Sequence, residues 1–218
     1  MDIFQARVKI LEFGKKLVER NLTVGTGGNI SIFLREQDQI IITPSGIDYF
    51  QMEAEDLVSV SPEGTVLDPF RKPTTELELH LALYAARSDI NAVVHCHSVF
   101  ATTLACLGWE VPPFSYLVAV IGDRIPLAPY ATFGTRELAE KVSSSLGNYN
   151  GLLMENHGQV TVGKDLETAF SAAETLEFLA ELYWRARCLG MPRILEDEEV
   201  LKVTERFQQY GQSSGGEA

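Results

Sequence analysis

Residues 91–107 read NAVVHCHSVFATTLACL, and the break in the middle of this stretch decides the architecture. Asn91 to His97 begins as an unbroken apolar run with no polar alternation, which suits a strand buried on both faces. Ser98 is a residue type that caps helices, and SVFATTLACL continues as one. A buried strand running straight into a helix is an α/β element.

Working outward, the same alternation recurs along the chain. IFQARVKILEFGKKLVER has apolar residues at helical spacing. A glycine-rich loop, TVGTGGNIS, precedes a strand at QIIIT, which ends at the turn Pro44 to Gly46. DLVSVSPEGTVL reads as a hairpin around SPEG. TTELELHLALYAAR is predicted to begin with a capping hydroxyl and to continue as a helix. RELAEKVSSSL is a further helix, and GLLMENHGQVTVG reads as two strands joined at ENHG. LETAFSAAETLEFLAELYWRARCLG and EDEEVLKVTERFQQYG complete the helices. The class is therefore α/β, a sheet covered by helices. No linker or repeat divides the chain. The expectation is one domain over residues 1–210 and a flexible tail, GQSSGGEA, from Gly211 to Ala218.

The 218 residues are 45% hydrophobic and 22% charged, with a net charge of −12. That length is ample for a core. No apolar run approaches the ~20 residues of a membrane span, and the N-terminal segment lacks the pattern of a signal peptide. No basic cluster points to nucleic acid. The expectation is a cytoplasmic protein with neither a membrane nor a nucleic-acid partner. An acidic chain must bind an anionic ligand through local groups, not through its overall field. The three cysteines, Cys96, Cys106 and Cys188, match no disulfide framework and are expected to be reduced and mostly buried.

Two of only four histidines, His95 and His97, stand at the end of the buried strand. Residues i and i+2 of a strand face one way, so both imidazoles can serve one zinc ion, while Cys96 between them faces the other way. A hydrogen-bonded histidine pair at a strand end fits HxH equally well. His157, in ENHG at a strand junction, supplies a third imidazole, and three histidines with one open position is the pattern of catalytic zinc. Glu76 at a helix start is a candidate carboxylate; such a residue also simply favours the helix dipole. His80, one turn further on, reads as structural or as support for the ligands. Three stretches offer anion-binding donors: GTGGNIS with Asn29, TPSG with Ser45 and Gly46, and TTE at a helix N-terminus. Each alone is ordinarily a turn or a cap. Together, beside a metal set, they suit a phosphorylated small molecule.

GTGGNIS, ITPSGI, TTELELH, VVHCHS, APYATFGTREL and ENHG, in this order and spacing, resemble the class II aldolase and epimerase family. The resemblance covers nearly the whole chain, from the first helix to RFQQYG. It implies a three-layer fold with a central mixed or mainly antiparallel sheet, and a homotetramer with active sites between neighbouring subunits. It also implies one Zn2+ per subunit, with Mn2+ or Co2+ as substitutes, held by His95, His97 and His157. Glu76 would be the fourth ligand and the proton-transfer group. Phosphate would be held by Gly28, Asn29, Ser45, Gly46, Thr74 and Thr75. Tyr116 of a neighbouring subunit would handle the aldehyde oxygen, and Phe133, Phe207 and Tyr210 would wall the aldehyde side.

The implied activity is cleavage of L-fuculose 1-phosphate to dihydroxyacetone phosphate and L-lactaldehyde. The alternatives are another 1-phosphorylated deoxyketose, such as 5-deoxyribulose 1-phosphate, and 4-epimerisation of L-ribulose 5-phosphate. The epimerase branch usually carries aspartate at the positions of Glu76 and Tyr116, which favours the aldolase. A non-catalytic domain like the head of adducin would be expected to lose the metal histidines, and all three are here. Two departures, serine in TPSG and an extra glycine in GTGGN, keep the needed donors.

Overall fold

The computed structural model describes residues 1–68 and 70–208. The expected domain end at residue 210, Tyr210 itself and the tail from Gly211 lie outside the described residues. Six helices and seven strands are formed among them: α1 (Ile3–Glu19), β1 (Asn29–Leu34), β2 (Gln39–Ile42), β3 (Val58–Val60), α2 (Leu77–Ala86), β4 (Ala92–Cys96), α3 (Val99–Cys106), β5 (Leu127–Ala128), α4 (Arg136–Leu146), β6 (Gly151–Met154), β7 (Gly158–Gly163), α5 (Leu166–Leu189) and α6 (Asp197–Gln208). The strands make one mixed sheet, ordered β3-β2-β1-β4-β7-β6-β5. Every pairing is antiparallel except β5 with β6.

β4 is the middle strand, buried throughout. Its Ala92, Val94 and Cys96 pack with Ile30 and Ile32 of β1 against α1 and against Phe170 and Ala173 of α5. Its Val93 faces the opposite layer, with Leu79 and Leu83 of α2 and Leu138 and Val142 of α4. Cys96 therefore does point away from the histidine side, as strand alternation requires. Each fully buried Ile, Leu or Val here contributes about 1.5–3 kcal/mol of transfer free energy. A third apolar cluster joins α3, α5 and the 3-10 turn at Tyr116–Val120. No helix among the described residues is long and apolar enough to cross a membrane.

Several local expectations need correction. β1 is not among the expected strands: its polar Asn29 and Ser31 read with the glycine-rich loop before it, although all six of its residues are buried. The second arm of the SPEG hairpin is reduced to one isolated bridge, Val60 to Val66. α2 begins at Leu77 with Glu76 as its N-cap, two residues after the expected start, and no side chain bonds there as a cap. The Thr74 hydroxyl instead accepts the Glu76 N–H at 3.3 Å. Ser98 is the N-cap of α3 by position only. The capping acceptor is Glu177 of α5, whose carboxylate takes the N–H groups of Phe100 and Ala101 at 2.9 and 2.8 Å. Ser98 Oγ donates to the same carboxylate at 2.6 Å. Of the three free thiols only Cys96 is buried; Cys106 and Cys188 are exposed.

Candidate active site

Three chain segments converge at one end of the central strands and bring four side chains together. β4 delivers His95 and, one residue past its end, His97. The β6–β7 junction delivers His157, and the cap of α2 delivers Glu76. One ligand atom from each of these residues lies within 4.8 Å of the others. His95 Nε2 is 3.0 Å from His97 Nε2 and 3.1 Å from Glu76 Oε2, and His157 Nε2 is 3.4 Å from Glu76 Oε1. Close approach is permitted by glycine. A Cβ on Gly158 would come within 2.9 Å of His97 Cδ2, and one on Gly27 within 3.0 Å of His97 Nδ1.

This donor set fits a divalent metal. Ligands about 2.05 Å from a tetrahedral ion stand about 3.3 Å apart, which the three distances bracket. His95 Nδ1 lies 2.8 Å from the Gln159 carbonyl, so it donates there and turns Nε2 inward as a ligand. Buried Glu76 Oε1 has no hydrogen-bond donor. Burial pushes the Glu76 carboxyl up, but the His95 and His157 rings and the Asn29 amide outweigh it and hold the group well below the usual carboxylate range. Burial acts against charge on His95, yet Glu76 and the Gln159 carbonyl raise its pKa. Burial, reinforced by His95, lowers His97 to about 3 and His157 to about 4, so both rings stay neutral and able to bind a cation. His80 is not among the four; its ring nitrogens meet Asn29 and Ser31.

The cluster opens onto a cleft of about 420 Å³. Gly28, Asn29, Ser45, Gly46, Thr74 and Thr75 all line it, together with Glu76, His97, His157 and Phe133. Gly28 and Gly46 have positive φ, +75° and +70°. Such turns can aim successive backbone N–H groups at an anion. Tyr49 Oη bonds the Gly28 carbonyl at 2.9 Å and fixes that loop from behind.

Within this chain Tyr116 and Phe207 do not reach the cleft. Tyr116, 57% exposed, stacks on Phe207 with ring centroids 6.1 Å apart, beside a separate apolar groove. Residue reading missed Thr26, Gly27, Tyr130, Ala131 and Asn156, which also line the cleft. All five lie inside the quoted motifs. Asn156 has a further mark: φ of 55° at a non-glycine residue, just before His157.

The family described as class II aldolase and adducin N-terminal domain matches residues 8–184, and the chain belongs to it. A 5-deoxy-D-ribulose 1-phosphate aldolase of Bacillus thuringiensis serovar kurstaki is 43% identical over 212 residues, 97% of this chain and all of that one. The L-fuculose phosphate aldolase of Escherichia coli K12 is 38% identical, covering 93% of this chain and 94% of that one. A solved L-fuculose 1-phosphate aldolase superposes with a TM-score of 0.92 at 40% identity, over 94% of this chain and 96% of the other. The protein is thus a class II aldolase, a lyase.

Proposed function

We propose that this protein is a zinc aldolase that cleaves a 1-phosphorylated deoxyketose to dihydroxyacetone phosphate and a short aldehyde. The observation that carries this is the Glu76, His95, His97 and His157 cluster opening on a cleft rimmed by hydroxyls and turn N–H groups. When bound, a divalent cation supplies a Lewis acid that stabilises negative charge developing on substrate oxygen. Three imidazoles and a carboxylate suit zinc, and Mn2+ or Co2+ would serve the same donors.

Gly28, Asn29, Ser45, Gly46, Thr74 and Thr75 hold the phosphate. This fixes the ketose so that its C3–C4 bond lies over the metal ligands. Glu76 moves the proton. In cleavage it protonates the carbon that becomes the hydroxymethyl group of dihydroxyacetone phosphate, and in condensation it removes that proton. Ionised, it is the proton acceptor in the condensation direction. Phe133 walls the aldehyde side.

Tyr116 acts in a neighbouring subunit's site, where its phenol exchanges a proton with the aldehyde oxygen. This fits an exposed Tyr116–Phe207 pair lying away from its own cleft. It requires an oligomer, for which a homotetramer is our proposal, with Phe207 at the same junction. A cytoplasmic setting belongs to the same proposal and accords with three unpaired thiols.

For the substrate, the 43% relative favours 5-deoxyribulose 1-phosphate, which yields acetaldehyde. L-Fuculose 1-phosphate, yielding L-lactaldehyde, is the second reading, carried by the 38% relative. Release of dihydroxyacetone phosphate from both ketoses, compared by kcat/KM, decides between them. Epimerisation of L-ribulose 5-phosphate without free aldehyde would refute the aldolase reading for this site.

A further inference from the structure

A buried row of polar side chains runs inward from the cleft, and beyond Glu76 and Asn29 its members have no part in the roles given so far. Glu76 Oε2 lies 2.9 Å from Asn29 Nδ2, and Asn29 Oδ1 lies 2.5 Å from His80 Nε2. His80 Nδ1 lies 2.6 Å from Ser31 Oγ, which lies 2.7 Å from Tyr84 Oη. All five residues are buried, His80 and Ser31 completely. Their spacing explains the row. Glu76, His80 and Tyr84 recur every four residues at the cap and along one face of α2, and Asn29 and Ser31 share one face of β1.

The hydrogen positions follow by counting donors outward from Glu76. An ionised carboxylate only accepts, so Asn29 must turn its NH2 toward Glu76. The Asn29 carbonyl then faces His80, so His80 Nε2 must carry a hydrogen. Burial, with His95 nearby and against the pull of Glu76, lowers the His80 pKa to about 3, so the ring is neutral. A neutral ring with its hydrogen on Nε2 has a bare Nδ1, which must accept from Ser31. Ser31 has one hydrogen and has now used it, so Tyr84 must donate to Ser31. Burial, as the largest influence, raises the Tyr84 pKa and keeps that phenol protonated.

We propose that His80 is a positioning residue for the reaction: it locks the Asn29 amide with its NH2 on Glu76, leaving Glu76 Oε1 turned toward His157. The inference rests on the reading of Glu76 as ligand and proton carrier. Without a donor at residue 80, the buried Asn29 carbonyl is left without a partner, the amide is no longer held from behind, and its hydrogen bond to Glu76 Oε2 loosens. A side chain that merely fills space at residue 80 would have no such effect.

The first test needs no turnover. Long-range proton–nitrogen correlation spectra of the full-length, metal-stripped, histidine-labelled protein report the His80 tautomer. The expected result is a neutral ring with the hydrogen on Nε2 throughout the neutral pH range. A hydrogen on Nδ1, or a charged ring, would overturn the proposal. The second test compares His80→Leu, which has no donor, with His80→Gln, which keeps one. The Leu variant should lose about 10–100-fold in Co2+ affinity or in kcat for proton exchange on dihydroxyacetone phosphate, the scale of lost support for a metal ligand. The Gln variant should recover part of it. Equal losses in two folded variants, or no loss in either, would overturn the proposal. Should the Leu variant not fold, Ser31→Ala removes the hydrogen given to Nδ1 and keeps the ring and the Asn29 carbonyl; its spectrum should still place the hydrogen on Nε2, and a shift to Nδ1 would count against the chain. The tautomer and the Co2+ affinity remain decisive even if the aldolase substrate proposed above is wrong.

Discussion

Glu177→Ala removes an acceptor that three donors share, and its consequences are open to calculation. The carboxylate takes the N–H groups of Phe100 and Ala101 at the start of α3 and the hydroxyl of fully buried Ser98. Losing a helix N-cap costs typically ~1 kcal/mol and up to ~2. Leaving the buried Ser98 hydrogen without an acceptor adds about 1–2 kcal/mol. The expected loss is about 3 kcal/mol, and for a chain of this size each kcal/mol lowers the melting temperature by about 2–4 °C.

The damage should reach the metal site. Ser98 follows His97 and accepts from Gln159 Nε2 at 2.7 Å, while the Gln159 carbonyl receives His95 Nδ1. Two ligand histidines thus lean on the contact, and metal affinity should fall about 10–100-fold. Thermal unfolding of metal-stripped protein and a Co2+ absorption titration give the two numbers. Glu177→Gln, which keeps the shape but turns an NH2 toward a backbone N–H, should fall between the Ala variant and the unaltered protein. A Glu177→Ala protein melting within about 2 °C of the unaltered one, with undiminished Co2+ affinity, would refute the reasoning.

Gly158→Ala would place a Cβ 2.5 Å from the Cys96 carbonyl oxygen and 2.9 Å from His97 Cδ2, so His97 must move. Overpacking of this kind costs about 1–3 kcal/mol, and metal content after dialysis should drop while the circular dichroism of the fold persists. Asp56→Asn tests acid stability. The Glu53 N–H, then Arg71, outweigh burial and hold the Asp56 carboxyl below its ordinary value. A depressed acid contributes stability above its unfolded pKa and loses it as the pH falls through the folded one. The Asn variant should therefore be less stable at neutral pH and lose less on acidification below about pH 4. Parallel stability–pH curves for the two proteins would contradict this.

Where the signal is local, the sequence was readable. The β4–α3 unit, the β6–β7 pair and α5 announced themselves by unbroken apolar runs or by long helical spacing, and they carry His95, His97 and His157. Elements whose cause is distant were not readable. β1 is sealed on both faces, so its Asn29 and Ser31 are buried polar groups that read as part of the glycine-rich loop. β5 is two residues long, too short for any pattern. α3 has its acceptor 77 residues away from Phe100 along the chain, at Glu177, so Ser98 looked like the cap. The start of α2 shifted because the Thr74 hydroxyl turns back on Glu76 and leaves that carboxylate at the N-cap. The cleft residues lay within the motifs, but only the fold brings GTGGNIS, TPSG and TTE to one rim. Tyr116 and Phe207 line a groove apart from that cleft, and the sequence carried no local sign of that separation.

The central claim is that Glu76 moves a carbon-bound proton beside a metal held by His95, His97 and His157. Its most direct measurement is deuterium wash-in at the hydroxymethyl carbon of dihydroxyacetone phosphate, followed by NMR with no aldehyde present. The account predicts exchange of one of the two hydrogens by the metal-loaded protein. That exchange should be abolished by chelation and slowed at least ~100-fold by Glu76→Gln, with metal retained by the three histidines. Exchange that survives chelation, or proceeds undiminished in Glu76→Gln, would contradict it.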